Sequence, residues 1–161
     1  MCWQDAPVHN VIIGTADPAS AEVQALLERH LALMRRTSPP EDVHALDTPG
    51  LLAENISFFG AREGLQLLGI GALKQLDPTH AELKSMHTAE AARGRGVGRA
   101  MVTHLVGVAR SRGCLRVSLE TGSMEAFAPA RGLYASAGFR SCEPFGGYKA
   151  SPHSVFMTVD L

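Results

Sequence analysis

The sequence predicts a mixed α+β fold: one central sheet of about seven strands with helices on both faces. Three observations carry this. Short alternating apolar runs recur along the chain, interleaved with longer runs at helical spacing. Three of the strand-like runs, residues 56–61, 65–76 and 82–88, follow one another across short turns, which suits an antiparallel meander. A helix of about 16 residues then separates the fourth strand from the fifth, and a connection of that length joins parallel neighbours by a right-handed crossover.

Residues 11–13 are a short apolar run and form the first strand. Asp17 and Pro18 supply an N-cap and a proline at the first helical position. Val23, Leu26, Leu27, His30, Leu31 and Met34 then recur at helical spacing, so residues 18–36 read as an amphipathic helix. Arg35 and Arg36 suit its C-terminal dipole, with binding of an acidic acceptor group as the functional alternative. Ser38, Pro39 and Pro40 stop the helix. The segment to Gly50 is irregular, with a helical turn around 41–46. Glu63–Gly64 and Asp77–Pro78 make the meander's turns, and Gly69 and Gly71 interrupt its second strand. From Glu82, alternation places Leu83, Ser85 and His87 on one side and Glu82, Lys84, Met86 and Thr88 on the other. Val97, Met101, Leu105 and Val108 stripe a helix that runs to about Arg112 and ends at Gly113. Residues 115–119 form the fifth strand, Pro129 opens a short helix over 130–136, Phe139 starts a sixth strand, and residues 154–161 form the last.

At 161 residues and net charge −1, the chain reads as one domain over 1–161 with a single sizeable core. It lacks the positive excess of a nucleic-acid binder. No apolar run approaches the ~20 residues needed to span a membrane. Residues 1–7 lack a basic segment followed by an apolar one, so no signal peptide is expected. Cys2, Cys114 and Cys142 are odd in number and scattered, which favours a reducing cytoplasm over a disulfide framework. The seven histidines, His9 among them, are also spread out with no pair at i, i+4, so no metal site is expected. Nucleic-acid and membrane partners are not expected, and a homodimer stays open as an assembly state.

The segment that organises the chain is the strand, glycine-rich loop and helix start over 82–99. Helix N-termini leave backbone N–H groups unpaired and carry partial positive charge, so such a junction suits a phosphate. Glycines let the backbone approach a ligand closely. Arg93, Arg95 and Arg99 add full charges. The mononucleotide loop is excluded because no Lys follows the glycines, and the dinucleotide fingerprint because Arg99 stands where its third glycine belongs. The remaining pattern, Arg/Gln-x-x-Gly-x-Gly/Ala, is met by Arg93, Gly96 and Gly98.

That pattern resembles the pyrophosphate loop of the GNAT superfamily of N-acetyltransferases. Leu133–Phe139 contains a second match, Tyr-x-x-x-Gly-Phe, beginning at Tyr134. A third is Glu82, eleven residues before Arg93, the spacing of the general base in the family's histone-acetylating branch. The element order is also the one the GNAT fold requires. The resemblance runs from about residue 8 to the end. It is closer to a small bacterial subgroup of mostly unassigned acetyltransferases, through SPPEDVHALD, ELKSM and LETGSMEAFAPARGLYASAGF. One departure is Phe127, where many members carry an Asn that contacts the pantetheine; Thr88 replaces a usual hydrophobe.

The resemblance implies acetyl-CoA as co-substrate, without a metal, and a small-molecule or amino-acid-like amine as acceptor, attacked directly in a ternary complex. Cofactor binding would fall to Met86, His87 and Thr88 along the pantetheine, and to Arg93, Gly94, Arg95, Gly96, Val97, Gly98 and Arg99 around the pyrophosphate. Glu82 would be the base, with pairing to Lys84 as its structural alternative, and Tyr134 the acid at the sulfur. By alternation His87 projects from the face opposite Glu82. Glu120 could bind a cationic acceptor or anchor a loop. Cys114 suits packing better than acyl transfer. Tyr148 and His153 lie in a loop that could border the acceptor pocket. A non-catalytic acyl-CoA sensor on the same fold is the competing reading.

Overall fold

The computed structural model describes residues 10–161. Cys2, His9 and the 1–7 segment lie outside the described residues. Seven strands, β1 (Val11–Thr15), β2 (Ile56–Glu63), β3 (Gln66–Asp77), β4 (His80–Thr88), β5 (Arg116–Gly122), β6 (Arg140–Ser141) and β7 (Ser154–Asp160), form one sheet. Its order is β1-β2-β3-β4-β5-β7-β6. β4 and β5 are parallel and the other neighbours antiparallel, so the mixed sheet expected from the connection lengths is the one observed.

Helices α1 (Ala21–Thr37) and α2 (Thr48–Leu51) cover one face, while α3 (Val97–Ser111) and α4 (Ala128–Ser136) cover the other. The α1 face buries Val23, Leu26, Leu27 and Leu51 against Phe58, Ile70 and Ala72. The α3 face buries Val97, Met101, Val102 and Leu105 against Phe59, Leu73, Leu83, Val117 and Leu119. None of the helices is long and apolar enough to cross a membrane, among the described residues.

Helix α1 starts at Ala21, three residues later than its proline suggests. Asp17 spends its carboxylate on the N–H of Ala19 at 2.9 Å, closing a turn before the helix instead of capping it. In the irregular segment the helical turn falls at Pro40–Asp42, and α2 was not foreseen; Asp47 caps it by accepting from the N–H of Gly50 at 2.9 Å. Gly69 and Gly71 do not interrupt β3, which runs through both. They let α3 press onto the sheet: a Cβ on Gly71 would lie 2.7 Å from Met101, and one on Gly69 would lie 3.0 Å from Val97.

The alternation read along β4 breaks at Ser85. Ala72 faces Lys84 and Ile70 faces His87, leaving Ser85 and Met86 opposite the single residue Gly71. Ser85 adopts φ +53°. This is a β-bulge, and it bends the strand and shifts side-chain parity by one. Glu82, Lys84 and His87 therefore share the α1 face, whereas Met86 and Thr88 turn toward α3. The expectation that His87 opposes Glu82 is corrected: strict alternation does not survive an extra residue.

Just before the bulge β4 leaves its parallel neighbour. Residues 80–83 pair with 116–119, but 84–88 and 120–122 have no partner across the gap. The two strands thus part into a wedge whose open end points at the start of α3.

On the far side of that wedge, packing is tight at Gly122, where a Cβ would sit 2.2 Å from the Phe127 ring. Gly122→Ala should cost about 1–3 kcal/mol through overpacking. Gly107→Ala, on α3 with open space around it, should stabilise by up to about 1 kcal/mol through helix propensity. Urea-unfolding midpoints of the two variants check both signs.

Candidate active site

The loop entering α3 has the backbone that anion binding needs. Gly94 and Gly96 have φ of +76° and +82°, a region that disfavours any side chain. Gly96 is the N-cap and supplies no side-chain capping bond, so the first N–H groups of α3 keep their donors free of a side-chain cap. Gly98 is tight against α4: a Cβ there would lie 3.0 Å from Leu133. The three arginines are exposed but not equivalent. Arg93 Nε approaches the Thr88 carbonyl at 3.4 Å, Arg99 donates to Ser136 Oγ at 3.2 Å, and Arg95 forms an ion pair with Glu63 at 2.7 Å. Arg95 therefore brings a charge already partly offset.

Above this loop the wedge presents β4 backbone with one edge unpaired. Ser85 Oγ is buried at the bulge and has no hydrogen-bond partner among the described residues. Met86 and Thr88 face α3, Val97 is buried beneath, and His87 packs edge to face on His30 with ring centroids 5.4 Å apart. Desolvation holds both imidazoles down at about 4, with mutual repulsion adding for His30 and the charges of Arg93 and Arg29 for His87.

On the α1 face the strands carry a buried polar cluster. Glu82 is 2 % exposed, so it is no surface carboxylate, although Lys84 is indeed its partner. Glu82 Oε2 accepts from Tyr148 Oη at 2.6 Å and from Lys84 Nζ at 3.3 Å, and Lys84 also donates to Tyr148 Oη at 2.8 Å. Burial, together with the Glu82 charge it bonds, raises the Tyr148 phenol well above its ordinary range. That loop tyrosine closes over a cavity of about 540 Å³ lined by Asp42, His44, Lys74, Glu82, Phe145 and Tyr148 among others. His153 is not part of its wall.

Glu120 stands at the first β5 position past the last β4 pairing, on the Glu82 face; β5 continues to Gly122 rather than ending there. Burial pushes its carboxyl up to about 7, with the Glu82 and Asp42 charges adding and Lys84 opposing. Tyr134, on α4, is buried against Phe139 at 5.9 Å between centroids. Burial and the Glu120 charge push its phenol up to about 12, which places Tyr134 within electrostatic reach of the wedge's open end. Cys114 is 3 % exposed and packs in the α3 core.

Residues 23–139 match the Acetyltransferase (GNAT) family. The uncharacterized N-acetyltransferase YsnE of Bacillus subtilis (strain 168) is 47 % identical over 145 residues, covering 90 % of this chain and 96 % of the relative. The uncharacterized N-acetyltransferase YedL of Escherichia coli (strain K12) is 45 % identical over 149 residues, covering 92 % and 94 %. Among solved structures, a Klebsiella pneumoniae chain with the provisional name acyl-CoA N-acyltransferase superposes with a TM-score of 0.77 at 26 % identity, over 94 % of this chain and 97 % of its own. A Bacillus subtilis acetyltransferase solved in complex with CoA superposes at 0.70 with 20 % identity, over 94 % and 99 %. The chain belongs to the GNAT family of acetyltransferases.

Sequence reading brought Glu82, Tyr134 and the loop forward as separate matches. It did not identify Asp42, or the joint tie of Lys84 and Tyr148 to one oxygen, because those contacts join residues up to 66 positions apart.

Lys84→Met leaves the Glu82 carboxylate buried without its cation and should cost about 3–5 kcal/mol, whereas Glu82→Gln with Lys84→Met should recover most of that loss. Denaturant titrations of the single and double variants measure it. The His30–His87 pair predicts acid lability: unfolded imidazoles titrate near 6.5, so between about 4 and 6.5 the folded chain binds fewer protons than the unfolded one. Stability should be full above that window and lost as pH falls through it. His30→Gln should shrink the loss between pH 7 and 4.5, read from urea midpoints.

Proposed function

We propose that the protein transfers the acetyl group of acetyl-CoA to the amine of a small-molecule acceptor, by direct attack in a ternary complex. The observation that carries this reading is the parting of β4 from β5 directly above the uncapped, glycine-led start of α3. Acetyl-CoA fits what is left open there: an unpaired strand edge for its pantetheine, an orphaned buried hydroxyl at Ser85, and free N–H donors for its diphosphate. The Bacillus subtilis structure with CoA supports the same fit in a chain of this fold.

Bound there, acetyl-CoA supplies an activated acyl carbon and a thiol leaving group. The N–H groups from Arg95 to Arg99 hold the diphosphate, with the charges of Arg93 and Arg99 beside them. The backbone of Met86, His87 and Thr88 pairs with the pantetheine as an added strand, and its N–H groups polarise the carbonyl oxygen. Position 127 holds an apolar ring, so this grip relies on main chain.

Glu82 takes the proton from the attacking ammonium, directly or through one water. Only its Oε2 is engaged by Tyr148 and Lys84, and the residue lines the cavity. The two donors hold the carboxylate still, while the second oxygen takes no hydrogen bond from the described residues. Tyr134 gives a proton to the departing sulfur; its raised pKa keeps the hydroxyl protonated throughout the neutral range. The free thiols Cys114 and Cys142 suit a reducing cytoplasm.

Release of free thiol in the presence of an amine panel tests this. Glu82→Gln and Tyr134→Phe should each lower kcat by about a hundredfold, the scale of positioned acid–base catalysis, with CoA affinity unchanged by calorimetry. Arg93→Ala or Arg99→Ala should each weaken CoA by about tenfold, the loss of one charge-assisted bond. Arg95→Ala should do less, because Glu63 already offsets that charge. Undiminished turnover in both catalytic variants, or CoA binding indifferent to the arginines, would overturn the assignment.

A further inference from the structure

The cavity on the α1 face holds charges that nothing among the described residues matches. Asp42, on the turn after α1, is 9 % exposed and lines the cavity, yet its carboxylate makes no hydrogen bond or ion pair with the described residues. Neither of its oxygens is fully buried, so the carboxylate faces the cavity, where it can meet a ligand's cation. Lys84 does not serve as its cation: its ion pair is with Glu82, two of its three donors go to Glu82 and Tyr148, and it makes no ion pair with Asp42. The same cavity holds Lys74 on β3, in register with Glu82 and therefore on the same face of the sheet. It too lines the cavity, is partly buried, and has no acidic partner among the described residues. Glu41 and Lys149 are exposed at the same cavity and offset one another in sign. With Glu82 balanced by Lys84, the inner wall is left with one unmatched carboxylate and one unmatched ammonium.

A ligand with a single positive charge would satisfy Asp42 and leave Lys74 bare. A ligand with both signs satisfies both. Position agrees: Asp42 and Glu82 line the same cavity, so an ammonium at Asp42 shares that space with the proposed base. The volume of about 540 Å³ is within the range of small-ligand sites. We propose that the acceptor is an amino acid bound as a zwitterion, its ammonium held at Asp42 and its carboxylate at Lys74.

This rests on the acetyltransferase reading, and the experiment separates the two. Thiol release is measured with the common amino acids and CoA's acetyl thioester, and the best acceptor is compared with the amine that lacks its carboxylate and with its methyl ester. Binding of the common amino acids to the protein in the presence of CoA is followed by calorimetry. The amino acid should exceed both analogues in kcat/KM by tenfold or more. Lys74→Met should bring the three to near parity by raising KM for the amino acid, and Lys74→Arg should restore much of the preference. Asp42→Asn should raise KM for all three tenfold or more, with thermal scans confirming that each variant is folded. Equal turnover of amino acid and bare amine by the native protein, or an equal loss for all three in Lys74→Met, overturns the inference while leaving acetyl transfer in place. If no amine of any kind is acetylated, the acetyltransferase reading fails. The inference then turns on calorimetry: amino-acid binding weakened by both variants upholds it, and absence of binding overturns it.

Discussion

The structure depends on one displaced residue in one strand. With Ser85 extra relative to β3, β4 cannot keep pace with both neighbours, and it stays with β3. The β4–β5 ladder stops after four residue pairs, although both strands continue. A parallel pair at the centre of a sheet is normally buried and continuous; here it opens where the strongest N-terminal dipole on that face begins. Ser85 holds a left-handed backbone without being glycine, a conformation that costs energy.

The bulge also sorts side chains. Without it Met86 would share the face of Glu82 and Lys84, and His87 would lie with α3. With it, the apolar Met86 joins the α3 core and His87 packs on His30, on the face where Glu82 and Lys84 meet the 144–152 loop. Tyr148 ties that loop to β4 through a carboxylate and an ammonium that are themselves a buried pair. Such a pair adds little net stability compared with apolar packing, but it specifies geometry, because neither partner tolerates loss of the other.

Much of this was legible from residues alone. Sheet class, parallel central pair, strand count and the loop before α3 follow from periodicity, connection length and glycine spacing, all of which are local quantities. The GNAT family followed from Arg93, Gly96, Gly98 and the Tyr134 motif, and the family match and relatives agree. The face of His87 was misread because a bulge leaves no local mark: Ser-Met reads as ordinary alternation. The α1 start was misread because Asp17 can close a turn as readily as cap a helix. Asp42 and the Tyr148 tie were invisible because their significance lies in what the fold brings beside them, not in any spacing.

The gap where β4 and β5 stop pairing lies in the sheet, and the sheet has two faces. The α3 face carries the arginines and bare amides of the helix start; the α1 face carries the cavity walled by Asp42, Lys74 and Tyr148. In the proposed reaction the two substrates would approach from opposite faces, so neither need pass through the doorway of the other. The partition that separates them is the sheet itself, so traffic on one side leaves the other undisturbed unless β4 moves.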